Sequence, residues 1–125
     1  MKPSLVKDKS YGFALRIITL AKWLRERKEF EIARQVLRSG TAIGSNVEEA
    51  LAGISRADFT AKMSIASKEA RESHYWLRLL HDAKVVPGSR ILPLETESLE
   101  LIRILTAIVK TSQANSDNSK LNTKN

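Results

Sequence analysis

Apolar residues recur at helical spacing from near the start of this chain. Phe13, Ile17, Leu20 and Leu24 are four, three and four positions apart, and Ala14, Ile18 and Ala21 widen the stripe. This is the repeat of one buried helix face and predicts a first helix over about residues 10–27, with Ser10 as its N-cap. A second helix is expected over residues 31–52, stopped by Gly53. A third opens after Ser55, which with Asp58 forms a cap and an acidic first turn, and runs to about residue 83. Its inward stripe reads Phe59, Met63, Ala66, Ala70, Ser73, Leu77 and Leu80. The stretch "VVPGSRILP" is a strong turn signal. A fourth helix is expected to start near Pro93, with Glu95 and Glu97 in its first turn and Leu101, Ile102, Leu105, Ile108 and Val109 facing inward. From Ser112 the chain is polar, with Leu121 its one sizeable apolar side chain, so residues 112–125 are expected to form a disordered tail. The prediction is an all-α, antiparallel up-down-up-down four-helix bundle in one domain over residues 1–111.

The stretch "RQVLRSGTAIGSNVEEALAG" (residues 34–53) interrupts a helical pattern with Gly40, Gly44, Ser39, Thr41, Ser45 and Asn46. Glycine costs about 1 kcal/mol against alanine inside a helix, so a loop between two short helices is the competing reading. One helix is favoured, because Val36, Gly40, Ile43, Val47, Ala50 and Ile54 then share a stripe that a loop would break. Gly40 and Gly44, one turn apart, would thin one patch and let a neighbouring helix approach. Arg38 and Asn46 also share a face. Glu69 and Glu72 border the stripe of helix 3, so Arg38 is expected to pair with one of them in a polar network with Asn46. The alternative is that these are solvated surface groups.

The net charge of +7 lies mostly in residues 1–30. A basic balance favours nucleic acid or another anionic surface through counterion release, though it also serves solubility. Candidate phosphate contacts are Arg16, Lys22, Arg25, Arg27 and Lys28 on helix 1, and Lys62, Lys68, Arg71 and Arg78 on helix 3. Those at the end of helix 1 also complement its dipole. The chain has no cysteine, which excludes disulfides and thiol chemistry. Neither a signal peptide nor a membrane span is read, and a cytoplasmic location is expected.

Catalytic patterns are missing. His74 and His81 share a face but lack a third ligand, so no metal site is expected. Ser39 and Thr41 have no nearby base in the sequence. Gly40-x-x-x-Gly44 is followed by no lysine, and the Glu-x-x-His pairs of di-iron bundles are absent. Neither enzymatic activity nor a cofactor is expected. Tyr75 and Trp76 adjoin the stripe of helix 3 and are candidates for a subunit contact.

Taken together, "LRSGTAIGSNVEEA" and "DFTAKMSIASKEARESHYWLRLL" resemble the bacterial family known as four-helix bundle proteins. That family includes proteins encoded in intervening sequences of large-subunit ribosomal RNA genes. The resemblance spans about residues 5–112, with Ala42 and Val47 as conservative departures. It implies a bundle that assembles into a homo-oligomeric ring, most often a pentamer. A related branch comprises accessory proteins of diversity-generating retroelements, basic rings that engage a reverse transcriptase and nucleic acid. The functional expectation is sequence-independent nucleic-acid binding. The alternatives are a scaffold for a partner protein such as a reverse transcriptase, or a small-molecule binder in the bundle interior.

Overall fold

The computed structural model describes residues 3–123, and side chains for residues 5–117. It contains four helices, α1 (Pro3–Glu26), α2 (Phe30–Leu51), α3 (Arg56–Asp82) and α4 (Gly88–Thr123). Each helix packs on the next, and α4 closes against α1 along a shorter seam, while among the described residues the backbones of the diagonal pairs stay apart. Cross-helix pairs fix the directions. Along α2 and α3, Glu49 meets Lys62 while Ser39 meets Ser73. Along α3 and α4, Thr60 meets Ser112 while His81 meets Glu95. Partner numbers fall as residue numbers rise, so neighbouring helices are antiparallel. The core between them is apolar and closed, with Phe13, Leu24, Ile43, Met63, Leu77 and Leu105 fully buried.

Two helices start earlier than expected. In α1, Val6 and Ser10 are both fully buried and extend the stripe of Phe13 back by two positions. Ser10 is therefore not an N-cap but an interior residue, whose hydroxyl donates to the Lys7 carbonyl at 3.1 Å. α4 begins at Gly88, because Ile91 and Leu94 are core residues and the Pro87 carbonyl receives the Arg90 and Ile91 N–H groups at 3.0 and 3.1 Å. Pro93 thus lies inside α4 on its exposed side, and Glu95 and Glu97 fall beyond the first turn.

The stretch expected to be a disordered tail continues α4 to Thr123; residues 124–125 lie outside the described residues. Ser112 is buried and shares a hydrogen bond with Thr60 of α3. That contact carries the helix past the apolar repeat. Extending an existing helix needs no new nucleus, and Ser, Asn and Gln each cost only up to about 0.7 kcal/mol against alanine.

α2 is one uninterrupted helix through both glycines. A Cβ on Gly40 would lie 2.7 and 2.9 Å from Ile17 side-chain carbons of α1, whereas one on Gly44 would make ordinary 3.5 Å contacts with Ser10. Ile54 does not extend the stripe, since α2 has ended and its side chain is fully exposed. Ile18, expected at the edge of the α1 stripe, is also exposed. Gly53 follows the α2 C-cap without a positive φ. A Cβ there would collide with the Asp58 carboxylate of the next helix cap. At the other end of α2, Lys28 takes φ 65°, and Lys84 after α3 takes φ 59°. The Lys28 N–H bonds to Arg25 O and the Glu29 N–H to Leu24 O; Lys84 N–H to His81 O and Val85 N–H to Leu80 O repeat the pattern. Both are Schellman closures with lysine where glycine is usual. Ser55 caps α3 by accepting the Asp58 N–H at 3.1 Å.

Candidate nucleic-acid interface

The C-termini of α1 and α3 and the N-termini of α2 and α4 meet at one end of the bundle. Dipoles of antiparallel neighbours offset one another there, so side chains set the local field. Lys22, Arg25, Lys28 and Lys84 are exposed at this end and take part in no salt bridge among the described residues. Arg27 lies 3.6 Å from the centre of the Trp23 ring, and Arg90, from the start of α4, lies 5.3 Å from it. Both are within cation–π range. Glu26, Glu29 and Asp82 dilute the cluster without forming ion pairs with it.

The structure sorts the remaining expected cations. Arg16 is not available as a free charge, because Glu97 holds it through two hydrogen bonds, one of them Nε to Oε2 at 2.9 Å. Lys62 faces Glu49 at 3.8 Å. Lys68, Arg71 and Arg78 are exposed on α3. Arg71 donates to the Thr106 hydroxyl of α4 at 3.0 Å, with Arg103 and Lys110 one helical turn to either side of Thr106. Arg78 lies 5.9 Å from the Tyr75 ring. These make a second, sparser band along α3 and α4.

Arg38 reaches both expected carboxylates. Its guanidinium donates to Glu69 Oε2 at 2.9 Å and to Glu72 Oε2. The Glu72 hydrogen bond raises the Arg38 pKa first, with the charges of both glutamates adding to it and partial desolvation opposing. Trp76 Nε1 donates to the same Glu72 oxygen at 3.1 Å, which ties the indole nitrogen into the α2–α3 seam. Asn46 is outside this network. Its amide donates to the Ala42 carbonyl of its own helix at 2.8 Å. Beneath the network, buried Ser73 donates to buried Ser39 at 2.9 Å.

Both histidines serve the α3–α4 seam: His74 Nδ1 meets Ser98 at 2.9 Å and His81 Nδ1 meets Glu95 at 3.1 Å. Burial and then the Arg78 charge hold the His74 pKa below its ordinary value, against the pull of Glu95. No group of three metal-ligating side chains occurs among the described residues. No helix there is long and apolar enough to cross a membrane.

Trp23, Phe30, Lys84 and Arg90 escaped the sequence reading. The Trp23-x-x-x-Arg27 spacing was the available signal, since residues four apart stack on a helix. The outward apolar faces were also missed. Tyr11, Leu15 and Ile18, at steps of four and three, are exposed on α1 opposite its core stripe. Ile65, Tyr75 and Leu79 do the same on α3, the diagonal helix. Tyr75 meets Trp76 edge-on at 5.3 Å, so it joins the outward face while Trp76 stays at its margin.

A surface groove between α3 and α4, about 650 Å³ in volume, is floored by Phe59, Met63 and Ile108. It is open at the bundle surface, unlike the interior pocket that small-molecule binding was expected to need. No curated protein matches the chain. Among solved structures, it is similar to a protein of unknown function from the S23 ribosomal protein family of Bacteroides thetaiotaomicron. The two are 46% identical over 88% of this chain and 99% of that one, with a TM-score of 0.83. The family model for the 23S rRNA-intervening sequence protein matches residues 2–107, and the chain belongs to that family.

Proposed function

We propose that this protein is a non-catalytic, self-assembling bundle that binds nucleic acid through the basic end of each subunit. The observation that carries this reading is the group of exposed cations at the meeting of α1, α2, α3 and α4 that form no salt bridge among the described residues: Lys22, Arg25, Lys28 and Lys84. Such cations release condensed counterions from phosphates, whereas neutralised ones such as Arg16 gain less. The sequence carries no groove-reading motif, so binding is largely independent of sequence. The outward faces of α1 and α3 support assembly. They point from opposite corners of the bundle, and joining α1 of one copy to α3 of the next buries both in every subunit, forming a ring when the rotation between copies closes. A pentamer is the ring size the family resemblance implies. Each ring then repeats a weak site several times, which multiplies affinity. The protein acts in the cytoplasm on this reading.

Titration of labelled RNA and DNA with increasing salt tests it. Affinity falls steeply and log-linearly with salt, and Lys22→Gln, Lys28→Gln and Lys84→Gln each reduce the slope. Salt-independent retention, or slopes unchanged by these substitutions, overturns the reading. The outward apolar faces also favour a second reading, in which they receive a partner protein such as a polymerase. Co-purification with one protein and no nucleic acid would select it.

A further inference from the structure

We propose that the basic end of the bundle is a stacking platform for unpaired bases, so that its ligand is a single-stranded segment rather than a continuous duplex. This inference rests on the nucleic-acid reading above and adds the form of the strand. An open depression of about 730 Å³ lies beside Trp23, with Val85, Val86 and Pro87 as further apolar lining, Arg27 and Lys84 as cations, and His81 and the Asp82 carboxylate beside them. A second depression shares Val85 and contains Phe30, Ile32 and Lys28, together with the carboxylates of Glu29 and Glu31. Phe30 is 55% exposed, which is unusual for a large aromatic at the start of a helix with a core beside it.

Each depression places an aromatic side chain beside a lysine, and the two share one valine, so a strand can set a base on the aromatic and its phosphate on the lysine. Every base has a π-face, so stacking on such residues tolerates sequence. The guanidinium of Arg27 lies against Trp23 and is itself a flat cation on which a base can rest. A duplex hides its base faces in its own stack and would engage only the lysines. Asp82, Glu29 and Glu31 offset Arg27, Lys28 and Lys84 within the two depressions, so phosphate charge must be met in part by Lys22 and Arg25, which lie beyond them. That favours a strand over a free nucleotide.

The test compares a short single-stranded oligodeoxynucleotide with an abasic strand of equal length and charge, by fluorescence anisotropy on the full chain. The natural strand is expected to bind at least about tenfold more tightly, the scale of one stacked base. Trp23→Leu should cut the natural-to-abasic affinity ratio severalfold, Trp23→Leu combined with Phe30→Leu should bring it to about one, and Trp23→Phe should retain part of the preference. Equal affinity for both strands, with binding still salt-sensitive, overturns the platform and leaves the basic-end reading standing. Failure to bind either strand overturns both. Should Trp23→Leu not fold, Trp76→Phe leaves Trp23 as the one indole in the chain. Quenching of its fluorescence by the natural strand but not the abasic one then supports the platform, and equal or absent quenching overturns it.

Discussion

Gly40 of α2 sits against Ile17 of α1 so closely that a Cβ there would lie 2.7 Å from an Ile17 methyl carbon. Ile17 is fully buried, so any retreat pushes it into the core. Gly40→Ala should therefore destabilise the fold by about 1–3 kcal/mol, the cost of overpacking a closed core. Gly44→Ala meets only ordinary contacts and should be neutral or stabilising by up to about 1 kcal/mol through helix propensity. Denaturant midpoints of the two variants check this, and equal effects would refute the distinction.

Lys28 and Lys84 both occupy the left-handed backbone region. A side chain there costs roughly 1–2 kcal/mol, part of which glycine returns as unfolded-state entropy. Lys28→Gly and Lys84→Gly should each stabilise the protein by about 0.5–1 kcal/mol while weakening nucleic-acid binding. A variant that lost stability along with binding would show that the lysines act in the fold.

The His74 pKa is depressed in the folded state, so on acidification the unfolded chain takes up this proton first. The stability His74 contributes as a neutral group is fully present above its unfolded value of about 6.5 and is lost as pH falls toward the lower folded value. Melting temperature should decline over that window, and His74→Gln should flatten the decline. An identical slope in wild-type and variant protein would remove His74 as its source.

Arg38 is half exposed, and solvent screens its pairs with Glu69 and Glu72. A double-mutant cycle between Arg38→Ala and Glu72→Ala should return a coupling of only about 0.5–1 kcal/mol, shrinking at high salt. A coupling of several kcal/mol would mean that the network is buried in the assembled protein.

Burying a new carboxylate should break the proposed subunit contact, so Leu15→Glu and Leu79→Glu are each expected to sediment as monomers. Mixed together they should form a one-to-one dimer, because each retains the face its partner lost. Self-association of either variant alone would replace the α1-to-α3 contact with a face that pairs with itself.

The helix count, the inward stripes and the continuity of α2 through its glycines were legible in the sequence, because each depends on spacing along a single helix. The reach of Arg38 to α3 was legible too, since an arginine and two glutamates flank facing stripes. The starts of α1 and α4 were not, because Ser10 and Pro93 read locally as boundaries, and only the burial of Val6 and Ile91 carries the helices past them. Nor could local pattern tell Gly40 from Gly44: the neighbour that distinguishes them comes from another helix. The same holds for charge. The sequence supplied the cations, but tertiary packing gave Arg16 to Glu97 and brought Trp23 together with Lys84 and Arg90 from two distant stretches at one end. Periodicity is a property of one chain segment, whereas an exposed site is what remains after segments have covered one another.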